Sequence, residues 1–333
     1  MVYWINPLTD SRWASFVTRH PSSSVFHTHQ WLTALRLTYG YTPLVLTTSP
    51  PGEPLADGIP FCRVESLFTG RRLVSLPFSD HCHPLSAPAG LLEALPQILD
   101  QQKLKYIELR PLDGRVPSGF SPVRRYWLHV LDLRPPLDEI FGKFHRDCVR
   151  RKIRRAGREG LETETGRSDA LLDAFYSLQV STRRRHGLPP QPRQWFRNLL
   201  DAMGEKSAVR VARFEGRPVA SILTLSHNGT SVYKYAASAA EDNRRGGMQL
   251  LLWNAIREAK AAGANWMDLG RCDAGDTGLA EFKERWGAER LEIPYYRYPA
   301  CSMQPAAKPV LLAKHLPNAV LIAAGRLLYR HLG

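Results

Sequence analysis

The feature that most constrains the fold is a block in the second half of the chain where three strand-like segments alternate with two tight turns and lead into a helix. Residues 208–214, 219–225 and 231–236 have strand character, joined by Glu215-Gly216-Arg217-Pro218 and His227-Asn228-Gly229. Both turns have hairpin chemistry, and Asn228-Gly229 is the stronger because both residues accept positive φ. From 248 to 262 the residues Met248, Leu251, Leu252, Ala255, Ile256 and Ala259 share one helical face, and Gly263 ends that helix. Residues 266–269 then read as a short strand, 279–286 as a short helix and 291–298 as a last strand. An antiparallel meander with helical cover predicts an α+β fold with a mixed, mostly antiparallel sheet.

The first half follows a similar order. A helix over 26–39 stops at Gly40, strands follow at 42–48, 58–65 and 73–78 around the turns Pro50-Pro51-Gly52 and Thr69-Gly70, and 90–101 returns to helical spacing before strands at 105–109 and 126–133. Helical candidates at 137–159, 170–186 and 193–203 open the second half. The repeated order predicts two lobes, 1–135 and 136–300, with an amphipathic tail at 301–333. The alternative is one large α+β domain with a helical insertion.

A chain of 333 residues exceeds the usual single domain of roughly 100 to 200. Its net charge of +14 favours phosphate-rich partners such as nucleic acid, nucleotides or anionic lipid. Five cysteines without a CxxC pair do not make a disulfide framework, and residues 1–10 have no secretory pattern. No apolar run approaches the ~20 residues needed to span a bilayer. The expected location is the cytoplasm, with peripheral contact at the inner face of the membrane as an extension of it.

The segment Asn243-Arg244-Arg245-Gly246-Gly247-Met248 opens the helix of the meander block, where backbone N–H groups and the helix dipole favour an anion. Its other reading is a polar loop with a helix-starting glycine pair. In that setting the run 208–287 resembles the GNAT superfamily of N-acetyltransferases, and within it the Fem/BioF-like branch. The resemblance lies in "RFEGRPVASILTL", "VYKYAAS", "RRGGMQLLLWNAIREAKAAGANWMDLG" and "GLAEFKERWG". In the first half, "HPSSSVFHTHQWLTALRLTYGYTPLVL" and "LVSLPFSDHCHPL" look like the corresponding Fem-like lobe. The resemblance implies two tandem GNAT-like lobes, the first on the acceptor side and the second carrying acyl transfer, as in FemAB-type enzymes of peptidoglycan or exopolysaccharide.

It also implies roles for residues. The superfamily's phosphate loop has Arg or Gln, two variable residues, Gly, one variable residue, then Gly or Ala; here Asn243 and Met248 occupy the outer positions, so the location carries over and the donor stays open. Arg244, Arg245, Gly246 and Gly247 are the candidate donor-phosphate residues. In "Glu281-Phe282-Lys283", the Phe-Lys pair of Fem-like transferases makes Lys283 the group that stabilises an oxyanion and Phe282 a substrate contact. The bland alternative is a solvated lysine beside a packed Phe282–Trp286 pair. Asp80 corresponds to an acceptor-contacting acid.

An attacking amine must lose a proton, and Asp268, Asp273, Tyr233 and Tyr235 are the candidates nearby. Asp268 falls on a buried strand, where a carboxylate is either hydrogen-bonded structure or a functional acid/base. Tyr233 and Tyr235 alternate with Lys234 and are expected to face one side together, lining an acceptor groove or packing in the sheet. His81, Cys82 and His83 lack a fourth ligand at a structural-zinc spacing, so no metal is expected.

The densest charge run, Lys143 to Arg158, carries Phe144, Val149 and Ile153 at helical spacing. It reads as a basic amphipathic helix that docks a tRNA, an acidic lipid or a membrane face, or as a solvated face that packs by its apolar stripe. The tail alternates apolar blocks with Lys314, Arg326, Arg330 and His331, and Pro317 splits it into two short helices that lie on a membrane or fold over the core. Together these imply an acyltransferase that moves an acyl or aminoacyl group from acyl-CoA or aminoacyl-tRNA, a co-substrate and no permanent cofactor, to an amine. The acceptor is a cell-envelope precursor, lipid-linked or not, or a polysaccharide amino sugar. The competing class is a catalytically silent RNA-binding or membrane-surface protein that uses the basic helix.

Overall fold

The computed structural model describes residues 1–66, 70–303 and 314–332. The chain divides into two compact units, Met1–Tyr126 with Glu292–Ala307 and Leu327–Gly333, and Trp127–Leu291 with Lys308–Arg326. The division therefore falls at 126/127 and not at 135/136, and the end of the chain does not stay apart as a tail. Strand-forming stretches ignore the boundary: one strand begins in the first unit and finishes in the second, and the last strand does the reverse.

In the first unit β1 (Tyr3–Ile5) and helices α1 (Ser11–Arg19) and α2 (His29–Tyr39) precede a meander of β2 (Thr42–Thr47), β3 (Ile59–Ser66) and β4 (Gly70–Val74). Helices α3 (Ala89–Glu93) and α4 (Leu95–Gln101) then lead to β5 (Tyr106–Leu109) and β6 (Ser121–Asp132). Neighbouring strands β1 to β4 are antiparallel, and β5 runs parallel to β4, as a helical crossover requires. α2 starts on the Thr28 side chain, which accepts from the Trp31 N–H, and ends at Gly40 with φ +72. Leu46, Ile59, Phe61, Leu73, Ile107 and Leu109 from the sheet pack with Leu91, Leu95 and Ile98 from the helices as one core.

The second unit repeats the plan. Helices α5 (Leu137–Lys143) and α6 (Arg151–Arg158), strand β7 (Glu162–Gly166) and helices α7 (Asp169–Arg185) and α8 (Arg193–Met203) precede the meander β8 (Ser207–Phe214), β9 (Arg217–His227) and β10 (Thr230–Ser238). Helix α9 (Gly247–Ala261) crosses to β11 (Trp266–Asp273), parallel to β10. Helix α10 (Thr277–Glu284), β12 (Glu289–Tyr298) and helix α11 (Asn318–Leu332) complete the chain. In this unit the strand order is β6-β11-β10-β9-β8-β7. Its core joins Leu251, Leu252, Ala255 and Ile256 of α9 to Ile222, Met267 and Leu269 of the sheet and to Phe144, Val149 and Trp286. No helix among the described residues is long and apolar enough to cross a membrane.

One sequence expectation needs correction. The basic segment is not one helix: the chain is extended at Phe144, passes through a π-helical turn at Arg146–Arg150, and only then forms α6. The break buries Phe144 against Trp253 and Trp286 and lets the His145 N–H donate to the Arg285 carbonyl at 2.8 Å. The apolar spacing is the same on both sides, so periodicity could not reveal it. The tail after Pro317 is one helix, α11; its expected earlier partner falls on 309–312, outside the described residues, as does Thr69 of the predicted turn. Finally, β1, α1 and β7 were not legible. β7, Glu-Thr-Glu-Thr-Gly, is a polar strand at the sheet edge with no apolar alternation to announce it.

Candidate active site

Strands β10 and β11 pair only through Thr230↔Trp266, Ser231↔Met267 and Val232↔Asp268. Both continue, β10 to Ser238 and β11 to Asp273, while β10 keeps its antiparallel partner β9 to the end. The two parallel strands therefore part after Val232 and Asp268 and open a wedge in the sheet, a place where an extended substrate segment can reach backbone donors.

Asp268 sits at the base of this fork, buried, and its Oδ1 accepts the Gly270 N–H at 2.6 Å. The Gly270 carbonyl in turn accepts from Lys283 Nζ at 2.6 Å. Lys283 projects from α10, which the Asp276 side chain caps by accepting from the Leu279 N–H, and it is only 2% exposed. Of the predicted residues, then, Lys283 and Asp268 are brought together around Gly270. The solvated-lysine reading fails, although Phe282 does pack against Trp286, with ring centroids 6.4 Å apart.

Tyr233 and Tyr235 do not face one side. The β9 register skips Lys234, and this β-bulge reverses the alternation. Tyr233 points into the α9 core, where its hydroxyl donates to Met248 Sδ at 3.1 Å and burial pushes its pKa up. Tyr235 meets Phe196 edge-on, and its hydroxyl accepts from Trp195 Nε1 at 2.9 Å.

The phosphate-loop residues also have internal duties. Arg245 pairs with Asp242 at 2.8 Å and Glu159 at 3.1 Å, and its guanidinium lies 3.6 Å from the Phe214 ring centre. Gly246, at φ +84, has no room for a side chain: a Cβ would stand 2.4 Å from the Lys152 carbonyl oxygen of α6. Gly247 fits between Ala220 and Leu161. Both glycines thus make room for protein on the side where a Cβ would stand. Arg244 is exposed.

One residue without any motif joins the site. His129 of β6 is fully buried, neither ring nitrogen has a hydrogen-bond partner, and Nε2 lies 3.8 Å from Glu284 Oε1, an ion-pair distance too long for a hydrogen bond. Burial and the neighbouring Lys283 charge push its pKa down to about 4. Glu284 also pairs with Arg290 at 3.2 Å, whose guanidinium stacks on Trp127. Cys272 on β11 is buried too, and burial raises its pKa. Glu284 lines an open groove of about 420 Å³ with Lys143, His145, Glu281 and Arg285. A histidine inside a predicted strand carried no spacing signal; only three-dimensional proximity to Lys283 identifies it.

In the first unit Asp80 is buried, and its carbonyl accepts from Tyr295 Oη at 2.6 Å. The neighbouring histidines are occupied separately: His81 packs edge-on against Phe26, and His83 Nδ1 lies 3.6 Å from Asp113. Cys82 is buried, its thiol pushed up to about 12 by that burial. Among the described residues, no three His, Cys, Asp or Glu side chains converge as a metal site.

Residues 143–284 match the family model of the acetyltransferase (GNAT) domain. Over 88 residues the chain is 30% identical to a UDP-N-acetylmuramoylpentapeptide-lysine N(6)-alanyltransferase of Weissella viridescens, covering 26% of each protein. The chain thus spans about a quarter of the length of that curated relative. Among solved structures it is similar to FemX, with a TM-score of 0.69 and 16% identity over 89% of this chain and 97% of that one. It is also similar to a tandem GNAT protein from the clavulanic acid biosynthesis pathway, with a TM-score of 0.54 and 9% identity over 92% of this chain and 100% of the other. At these identities the structures speak to fold, and the fold is two tandem GNAT-like lobes.

Proposed function

We propose, from the match of residues 143–284 to the acetyltransferase (GNAT) domain and the similarity to a lysine alanyltransferase, that the chain moves an acyl or aminoacyl group from a phosphate-bearing donor to an amine. The observation that carries this reading is the buried ammonium of Lys283, fixed at 2.6 Å from the Gly270 carbonyl where β10 and β11 part. The amine nitrogen attacks the donor carbonyl, its C=O becomes an oxyanion, and Lys283 Nζ stabilises that charge in a water-poor site. As the tetrahedral adduct collapses, the bond to the donor's sulfur or oxygen breaks, and the proton lost by the nitrogen passes to that departing thiolate or alkoxide. A positioned cation of this kind is worth several kcal/mol in such a step.

The donor is an acyl-CoA or an aminoacyl-tRNA. Exposed Arg151, Arg154 and Arg158 on α6 lie on the element whose Lys152 carbonyl abuts Gly246 at the start of α9. That basic strip beside a helix N-terminus suits a polyanion longer than one pyrophosphate, which favours the tRNA donor. The acceptor class is an amine of a cell-envelope precursor, by similarity to the lysine alanyltransferase. The first unit, with Asp80, is the proposed acceptor lobe.

The test is transfer to a UDP-linked muramoyl pentapeptide, with alanyl-tRNA and acetyl-CoA offered separately. Transfer from alanyl-tRNA, with KM raised about ten-fold for that donor alone in Arg151→Gln/Arg154→Gln/Arg158→Gln, supports the reading. Transfer from acetyl-CoA only would move the donor assignment to coenzyme A. No transfer from either donor to any of a panel of envelope amines would overturn the function.

A further inference from the structure

Twelve large apolar side chains are substantially exposed among the described residues, and six of them, Met303, Leu316, Val320, Leu327, Leu328 and Leu332, fall in the last thirty or so positions. Such a concentration is not the scatter normal for a protein surface. On α11 the inward row is Leu321, Gly325 and Tyr329. Leu321 and Tyr329 are buried, and Gly325 approaches the Pro190 carbonyl so closely that a Cβ would overlap it. The helix is therefore seated by one face and cannot bury the other by rotating. The opposite row, Val320, Ala323, Ala324 and Leu327, has the i, i+3, i+4, i+7 spacing of a second apolar stripe, with Val320 48% and Leu327 69% exposed.

The charge carried by the tail itself has one sign. Residues 301–333 contain Lys308, Lys314, Arg326 and Arg330 and not one Asp or Glu. Arg326 and Arg330 are exposed beside the stripe, as are Lys314 and His315 just before the helix. A protein partner would be chosen by shape and by complementary charges of both signs. Exposed cations on the helix beside an apolar row instead match a surface with a uniformly anionic rim and an apolar interior. We infer that α11 docks this protein on anionic bilayers, lying in the plane of the interface with Val320 and Leu327 inserted among the acyl chains and Arg326 and Arg330 against lipid phosphates. The docking does not depend on the transferase reading, and it would hold an enzyme of that kind at the surface where lipid-linked amines are presented.

The experiment is co-sedimentation of the full chain with vesicles of phosphatidylcholine alone and with about one third phosphatidylglycerol, at ~0.1 M and ~0.5 M salt. Binding at least about ten-fold tighter to the anionic vesicles, weakened at high salt, is expected. Leu327→Glu/Val320→Glu and Arg326→Gln/Arg330→Gln each reduce it about ten-fold, with melting temperature and transferase activity on a soluble acceptor unchanged. Equal binding to both vesicle types, no binding to either, or undiminished binding by Leu327→Glu/Val320→Glu overturns the inference. A monomer–dimer equilibrium in light scattering that Leu327→Glu abolishes, without vesicle binding, would assign the stripe to a second copy of this chain instead.

Discussion

Lys283 donates its Nζ to the carbonyl oxygen of Gly270 at 2.6 Å, and this bond ties α10 to β11 just beyond the point where β11 parts from β10. The Gly270 N–H is held from the other side by Asp268. Peptide and ammonium are thus fixed in series: carboxylate to N–H, carbonyl to lysine. The roles proposed on this geometry are an oxyanion-stabilising Lys283 and an Asp268 that positions it through the Gly270 peptide.

The first prediction separates those two roles. Lys283→Met keeps the length of the side chain, so the fold survives, but transfer falls about 10²- to 10³-fold in kcat with KM for the acceptor nearly unchanged. Asp268→Asn still presents an oxygen to the Gly270 N–H and keeps activity within about ten-fold. Asp268→Ala leaves that N–H unpaired and costs about 1–3 kcal/mol in urea unfolding. A loss in Asp268→Asn as deep as in Lys283→Met would return Asp268 to the catalytic role.

How much of this was legible depended on whether a residue's neighbours were local in sequence. The meander and the α9 face are set by short-range turn chemistry and helical periodicity, and they stand where the sequence put them. The bulge at Lys234 was illegible because one inserted residue reverses alternation without changing composition. The break at Phe144 answers to Trp253 and Trp286, more than a hundred positions away. The glycines of the presumed phosphate loop looked like ligand glycines because sequence cannot distinguish room made for a phosphate from room made for the Lys152 carbonyl.

Tyr235 offers a direct test of the corrected sheet face. Its hydroxyl accepts from Trp195 Nε1 inside the packing of α8 on the sheet. Tyr235→Phe removes that acceptor and is expected to cost about 1 kcal/mol of stability while leaving transfer within about three-fold. A large drop in kcat with unchanged urea midpoint would place the hydroxyl in the chemistry instead.

Gly246 combines a left-handed backbone, φ +84, with a carbonyl where a Cβ would stand. Gly246→Ala is strained on both counts and should lower stability by at least about 2 kcal/mol, read as a shifted denaturation midpoint with constant m-value. Because Lys152 belongs to α6, the same variant is expected to weaken donor affinity by displacing the basic strip. Gly247→Ala, which meets side-chain atoms of Leu161 and Ala220 at 3.2 Å and the Ala212 methyl at 3.5 Å and no backbone atom among its nearest neighbours, is milder.

The last prediction concerns pH and follows from His129. Its folded-state pKa of about 4 lies below the ordinary value of 6.5, because burial and then the Lys283 charge disfavour the imidazolium more than Glu284 favours it. At pH values between these the unfolded chain binds the proton and the folded chain does not, so acid favours unfolding. The stability that this group contributes is fully present above about pH 6.5 and is lost as pH falls toward 4. His227, likewise lowered to about 4 by burial and then by Lys206, adds a slope of the same sign in the same window. Melting temperature measured from pH 7.5 to 4.5 is expected to fall steeply in the wild type. It should fall less in His129→Gln, with a difference of the order of 2 kcal/mol by pH 4.5. An unchanged slope in His129→Gln would mean that the ring titrates alike in the folded and unfolded chain, so that neither burial nor the Lys283 charge acts on it.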